Sequence, residues 1–220
     1  MELIGIVGCG GLGRDVMPIA RAVAQRMRPG ASAEAVFVVE YGPLGERING
    51  HRVISSSEFE AAARQHRCAF NVAISNSAAR QRIAERLLDA GAEPLALQGE
   101  PVVILDGAQL GSAALLCAYT FVGANATIGR FFHGNIYSQV EHDCRIGDYV
   151  TFGPGVRCNG NILIEDHAYV GSGALIRQGS AERPLVIGRG AVIGMGAVVL
   201  NDVPPGATVV GNPARPIRGA

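Results

Sequence analysis

The hydrophobic pattern of the chain changes character near its middle. Up to residue 97, short apolar runs alternate with stretches of helical periodicity. Leu3 to Val7 reads as a buried strand, followed by a glycine-rich loop and a helix to about Met27. Ala35 to Val39 gives a second strand. Ser57 opens another helix, with Glu60 three residues on completing a capping box. Phe70 to Ile74 is a third strand, Ser77 to Ala90 a helix stopped by Gly91, and Leu95 to Leu97 a last short strand. Strands alternating with helices predict a parallel sheet with helical crossovers. The segment is too short for a complete dinucleotide-binding fold and reads as half of one.

After residue 100 the period is six. Every sixth residue from Ile104 gives Ile104, Leu110, Leu116, Val122, Ile128, Gly134, Val140, Ile146, Phe152, Cys158, Ile164, Val170 and Ile176, an apolar series broken only at Gly134. It resumes in a shifted register at Ile187, Ile193 and Val199, so the stretch 177–186, with Gly179 to Pro184 at its centre, reads as an extruded loop. Small residues recur four places after the apolar one, as at Ala126, Ala168, Ala174, Ala191 and Ala197. This is a hexapeptide repeat. Each hexad supplies a short strand and a turn, its apolar residue points into a narrow prism, and stacked coils bury a column that no single repeat could bury alone.

Composition narrows the function classes. Lys plus Arg and Asp plus Glu balance at 19 each, so no global field gathers nucleic acid or an anionic membrane. The cysteines Cys9, Cys68, Cys117, Cys144 and Cys158 show no CxxC spacing and read as reduced thiols of a cytoplasmic protein. The amino terminus lacks the basic and apolar regions of a signal peptide. No run approaches the roughly 18 apolar residues that would span a bilayer.

Two motifs could carry chemistry. Gly8-Cys9-Gly10-Gly11-Leu12-Gly13 matches GxGxxG between a predicted strand and a predicted helix. Such a loop offers backbone N–H groups and a helix N-terminus to a phosphate. Glu40, just after the second strand, is the acidic candidate for ribose or base, although it lies further from Gly13 than the usual spacing of about 20 residues. A nucleotide sugar fits a half domain better than NAD. A tight strand-to-helix turn with no ligand is the alternative. The second motif is Val140-Glu141-His142-Asp143-Cys144-Arg145-Ile146-Gly147. Val140 and Ile146 point inward, which places His142 near an outward corner. A neutral imidazole there could take a proton from an attacking amine or hydroxyl, with Asp143 holding its tautomer. A solvated surface histidine is the alternative. Cys144 occupies the small slot of its hexad and reads as a packing residue. Arg80, Arg82 and Arg86 read as a solvated helix face.

Taken together, the glycine loop, the hexapeptide series and the Val-Glu-His-Asp-Cys-x-Ile-Gly motif resemble the bacterial sugar acetyltransferases, which include sialic-acid O-acetyltransferases and N-acetyltransferases of nucleotide-linked amino sugars. The resemblance spans nearly the whole chain. It implies an α/β half-Rossmann domain over 1–98 that binds a nucleotide sugar, then a left-handed parallel β-helix over 99–220 that carries acyl transfer. It implies acetyl-CoA as cosubstrate without a metal, and a homotrimer with active sites between neighbouring helices. It makes His142 the general base, Asp143 its orienting acid and the Gly160 N–H the receptor for the thioester oxygen. Gly171, Gly173, Gly194 and Gly196 would lie along the pantetheine arm, and Asn212 and Arg215 would help hold CoA. Gly8, Gly10, Gly11, Gly13 and Glu40 would face the nucleotide sugar. The chain departs from the family pattern at Leu12 and Thr151, where histidines are usual, and over Arg130 to His133. Transfer to a sugar hydroxyl, a non-catalytic nucleotide-binding scaffold and a nicotinamide oxidoreductase remain the other readings.

Overall fold

The computed structural model describes residues 2–26, 33–42 and 44–217. The chain divides into two compact units, Met1–Leu97 and Gln98–Ala220.

The first unit is built on a twisted sheet. In chain order its elements are β1 (Glu2–Val7), α1 (Gly11–Arg26), β2 (Ala33–Val39), β3 (Arg47–Ile48), β4 (His51–Ser55), α2 (Ser56–Ala63), β5 (Cys68–Val72), α3 (Ser77–Asp89) and β6 (Glu93–Pro94). The sheet order is β3-β4-β2-β1-β5-β6. All neighbours are parallel except the β3–β4 hairpin. Counting only the parallel strands in chain order, the sheet reads 3-2-1-4-5. Its central strands are covered on both faces, which is why Ile4, Ile6, Val36, Phe37, Val38, Phe70 and Val72 are all buried and why the strands read as continuous apolar runs.

The structure corrects several sequence expectations. β4 was not visible in the pattern because only Val53 and Ile54 of its five residues are buried apolar positions. The helix expected to open at Ser57 opens one residue earlier, capped by Ser55, whose Oγ accepts the Glu58 N–H at 3.0 Å. The third strand ends at Val72 instead of Ile74, and the last strand is Glu93–Pro94 instead of Leu95 to Leu97. Arg80 is not on a solvated face. It is fully buried, and its guanidinium donates to the carbonyls of Ile74 and Ser75 at 2.7 and 3.3 Å. The polar residue at that helical position is used to tie down the turn after β5.

The glycines after β1 divide into two kinds. A Cβ on Gly13 would lie 1.9 Å from the Gly8 carbonyl oxygen, so α1 can approach β1 only without a side chain there. Gly10 and Gly11 have nothing within 4 Å of a built Cβ and leave open space beside the helix N-terminus. Gly13→Ala should therefore destabilise the protein by about 1–3 kcal/mol through overpacking, read as a lowered thermal midpoint. Gly10→Ala should leave that midpoint in place. Equal shifts in the two variants would contradict the packing account.

The second unit is a prism of three parallel sheets. Its strands are two or three residues long, and all but the last, the antiparallel Arg215–Pro216, pair with the strand one coil away: Val122 with Val140, Ile128 with Ile146, Gly134 with Phe152. In many strands the outward residue is more exposed and the next is buried, as in Thr127-Ile128, Arg145-Ile146 and Tyr169-Val170. The sixfold series forms the core from Leu116 through Val199. Ile104, on the first coil, stays 38% exposed.

Gly134, the one break in the series, has a packing cause. Phe132, two residues earlier, fills a slot that holds alanine in other hexads. Its side chain is fully buried, and its ring meets Phe152 edge-on at 5.2 Å. A Cβ on Gly134 would approach Phe132 to 3.0 Å. A large residue in the small slot is matched by a missing side chain in the large one, so the core volume is conserved.

The register shift is also explained. Ile164 pairs with Ile187, where an unbroken period would place Glu182. The surplus residues close on themselves, with the Ser180 N–H donating to the Arg183 carbonyl and the Arg183 N–H to Ser180 Oγ. Coil stacking resumes at once with Leu185–Ile187. No helix among the described residues is long and apolar enough to cross a membrane.

Candidate active site

Each turn of the prism passes through a corner residue with positive φ. Along one edge these are Gly107, Asn125, Asp143 and Asn161, with φ of 74°, 58°, 58° and 57°. Asparagine and aspartate tolerate the left-handed region better than other side-chain-bearing residues. Asp143 therefore serves the turn, and its position carries His142 to the outer side of the same corner. Gly123, one coil earlier, must be glycine, because its Cβ would meet the His142 backbone nitrogen at 2.5 Å.

His142 and Asp143 form a pair at this corner. His142 Nδ1 and Asp143 Oδ2 are 2.8 Å apart, and the two side chains are 55% and 47% exposed. A carboxylate can only accept, so Nδ1 carries the proton of the neutral ring and Nε2 keeps its lone pair for an incoming acid. The hydrogen bond from His142, and a second from Asn125 Nδ2 at 3.3 Å, hold the Asp143 carboxyl below its ordinary range. Asn125 was missed by sequence reading. Its signal was there, since it lies one 18-residue coil before Asp143 on the same edge.

A depressed carboxylate pKa fixes the sign of the pH response. The pair's contribution is complete above the ordinary carboxylate range and is lost only as pH falls through the lowered value. Asp143→Asn should lack that contribution at every pH. Its kcat should fall on the order of 10²-fold at neutral pH, because the Nδ1 tautomer is no longer imposed. Steady-state rates across pH would check this, and an asparagine variant at parental kcat would remove Asp143 from the site.

Gly160 lies directly under the imidazole. A Cβ there would sit 2.5 Å from both Cε1 and Nε2 of His142. The adjoining backbone is held on both sides: the Asn161 N–H donates to the His142 carbonyl at 3.1 Å, and the Gly179 N–H to the Gly160 carbonyl at 3.0 Å. The Gly160 N–H itself has no acceptor among the described residues. The structure thus brings Gly160, one coil further along the sequence, against the His142–Asp143 pair.

The other candidate residues are placed as follows. Gly171 is required by coil stacking, since a Cβ would meet the Met195 backbone nitrogen at 2.6 Å, whereas at Gly194 a Cβ would meet the Val210 side chain, at Cγ1, at 2.7 Å. Gly173 and Gly196 occupy positive-φ turns, both at 66°, with open space around a built Cβ. Asn212 and Arg215 are exposed, and Arg215 begins a strand antiparallel to Thr208–Val210. In the first unit, Gly8 and Gly10 lie in the turn between β1 and α1, and Gly11 and Gly13 in the first turn of α1. Glu40 ends in an ion pair with Arg86 at 2.6 Å, and Arg86 also holds Glu60 at 2.9 Å. Its carboxylate is therefore engaged by α3. Cys144 and Cys158 are fully buried with their sulfurs 4.0 Å apart. The hydrogen bond between them holds the Cys144 thiol below its ordinary range, and the same bond together with burial pushes Cys158 above it. Among the described residues no three His, Cys, Asp or Glu side chains gather as a metal site.

No protein-family model matches the sequence. A curated relative does. The chain is 47% identical over 218 residues to GDP-perosamine N-acetyltransferase of Escherichia coli O157:H7, covering 99% of this chain and 97% of that protein. The chain belongs to the bacterial sugar N-acetyltransferases of the hexapeptide-repeat family. Solved members share the fold along its whole length. WeeI from Acinetobacter baumannii AYE superimposes with a TM-score of 0.92 at 46% identity, covering 99% of this chain and all of that one (100%). The acetyltransferase domain of PglB from Neisseria gonorrhoeae FA1090, solved in complex with acetyl coenzyme A, gives a TM-score of 0.85 at 28% identity and 98% coverage of each chain. Members of this family are acetyltransferases acting on sugars.

Proposed function

We propose that the protein transfers the acetyl group of acetyl-CoA to the amine of a nucleotide-linked amino sugar used in bacterial surface-glycan synthesis. The observation that carries this reading is the arrangement of His142, Asp143 and Gly160 at one corner, in a chain 47% identical to GDP-perosamine N-acetyltransferase over nearly its full length. His142 Nε2 accepts a proton as the sugar amine attacks the thioester carbonyl. Asp143 holds the ring's tautomer and balances the imidazolium that forms. The Gly160 N–H, with no acceptor of its own, receives the developing oxyanion, and CoA departs as the thiol. That thiol proton comes from the imidazolium, which protonates the sulfur as it leaves and so returns to the neutral ring. No acyl-enzyme is formed. Proximity and a preformed oxyanion donor supply most of the rate, and the base adds about 10²–10⁴-fold.

The remaining assignments follow from that chemistry. The acetyl-CoA arm runs past Gly171, Gly173, Gly194 and Gly196, where the two positive-φ turns leave open space. Asn212 and Arg215 hold its distal end. The first unit, taken as residues 1–98, binds the nucleotide sugar. Its parallel order 3-2-1-4-5 supports a truncated Rossmann domain, whose ligand crevice lies beyond the strand ends at the reversal between β1 and β5, where the Gly8–Gly13 loop begins. Glu40, buttressed by Arg86, borders that region from β2. The second unit, 99–220, is the left-handed β-helix that carries transfer. The working assembly in this reading is a homotrimer, in which a neighbouring helix supplies the second wall that a base open to solvent on its outer side lacks. A cytoplasmic location fits the cytosolic supply of acetyl-CoA and nucleotide sugars.

A thiol-release assay with acetyl-CoA tests the reading against GDP- and UDP-linked amino sugars and free sialic acid. Release is expected with a nucleotide-linked amino sugar, GDP-perosamine first. Release with none of the amino sugars would sink it.

A further inference from the structure

The Asn159–Gly160 peptide has a partner at its other end. Cys144 Sγ donates to the Asn159 carbonyl oxygen at 3.0 Å inside the prism. Asn159 C=O and Gly160 N–H belong to one trans peptide plane, so they point in opposite directions. A contact that draws the carbonyl inward turns the N–H outward, to the side where His142 lies over Gly160. Cys158 Sγ lies 4.0 Å from the Cys144 sulfur and 4.0 Å from the same carbonyl oxygen, so the close contact to that oxygen is the one from Cys144, and both cysteines are fully buried. Packing alone does not call for sulfur here. The same slot one coil earlier holds Ala126, also fully buried, and other hexads hold Ala168, Ala174 and Ala197.

We propose that Cys144 is a positioning residue for acetyl transfer, its thiol fixing and polarising the Asn159–Gly160 peptide so that the Gly160 N–H is aimed at the oxyanion. This rests on the reading of Gly160 as the oxyanion donor. Donation to a peptide carbonyl shifts electron density toward the oxygen and makes the N–H at the other end a stronger donor. The thiol forms no bond to the acetyl group; it is buried and points away from the reacting atoms.

The experiment compares Cys144→Ala, Cys144→Ser and Cys158→Ala, each also made with glycolic acid in place of Gly160, which swaps the N–H for an ester oxygen. Cys144→Ala should lower kcat roughly tenfold, a fraction of the 10²–10³-fold cost of losing an oxyanion donor. Both KM values should stay within about twofold, because only the transition state uses the oriented N–H. Serine, which keeps a donor, should restore kcat to within about threefold. Cys158→Ala removes the same sulfur volume from the same core but leaves the Cys144 bond, and should stay near the parental rate. In the ester background Cys144→Ala should cost nothing further. If alanine does not fold, Cys144→Val, which fills the slot without a donor, should show the same tenfold loss. A Cys144→Ala enzyme at full kcat, or Cys158→Ala as slow as Cys144→Ala, would overturn the proposal while leaving the Gly160 reading intact. An ester enzyme at full kcat would sink the Gly160 reading itself, and the proposal with it.

Discussion

His142→Ala should lower kcat/KM for acetyl transfer by about 10²- to 10⁴-fold, the range a positioned general base contributes. The protein should meanwhile melt at the parental temperature. The two halves of that expectation come from the same geometry. The ring is 55% exposed and outside the prism core, so its removal leaves no cavity. Its Nδ1 is held by Asp143 at 2.8 Å, so its Nε2 is the group left to act. Steady-state kinetics beside a thermal melt separates the outcomes. Near-parental turnover in the folded variant would remove His142 from the mechanism. A large fall in melting temperature would show that the corner is structural. Double loss of His142 and Asp143 should cost little more than loss of His142, since the acid works only through the ring.

Gly160→Ala should be nearly as damaging, although it removes no chemical group. The new Cβ would sit 2.5 Å from Cε1 and Nε2 of His142, so something has to move. The ring is the free end of an exposed side chain, whereas the backbone at 160 is pinned through Asn161 to His142 and through Gly179. The imidazole therefore swings away, and the stack keeps its register. The expected result is a loss of kcat on the order of 10²-fold, since displacement by about an ångström can cost that much. The melting temperature should change little, in contrast to Gly13→Ala, where the obstruction is backbone oxygen. A Gly160→Ala enzyme with parental kcat would mean that the imidazole has no required position above Gly160.

Much of this fold is legible in the sequence because the hexapeptide series is a packing rule written out repeatedly: one apolar residue inward per face, small residues at the turns, glycine where coils approach. The same rule hid the exception. Gly134 looks like a flaw until Phe132 is seen filling its volume, and a six-residue count cannot register a swap between slots. The first unit was less legible at β4, whose ends, His51, Arg52 and Ser55, are polar because they serve a hairpin, an ion pair with Glu34 and a helix cap. Arg80 was misread since helical spacing gives a face but not what the face packs against. At the site, His142 and Asp143 were readable as neighbours in the chain. Asn125 and Gly160 were harder, because their proximity is a matter of stacking one coil apart. Counting by 18 along the corner, through residues 107, 125, 143 and 161, recovers the edge on which the site is built. What no period reveals is the direction of a peptide plane, and there the Cys144 hydrogen bond to Asn159 adds what the sequence withheld.

The most direct test of the central claim is the identity of the product. The purified protein, given acetyl-CoA and GDP-perosamine, should release CoA and leave the acetyl group on the sugar nitrogen, seen by NMR as an amide and resistant to mild base. An ester on a sugar hydroxyl, lost in mild base, would contradict the N-transfer account and move the chemistry to oxygen.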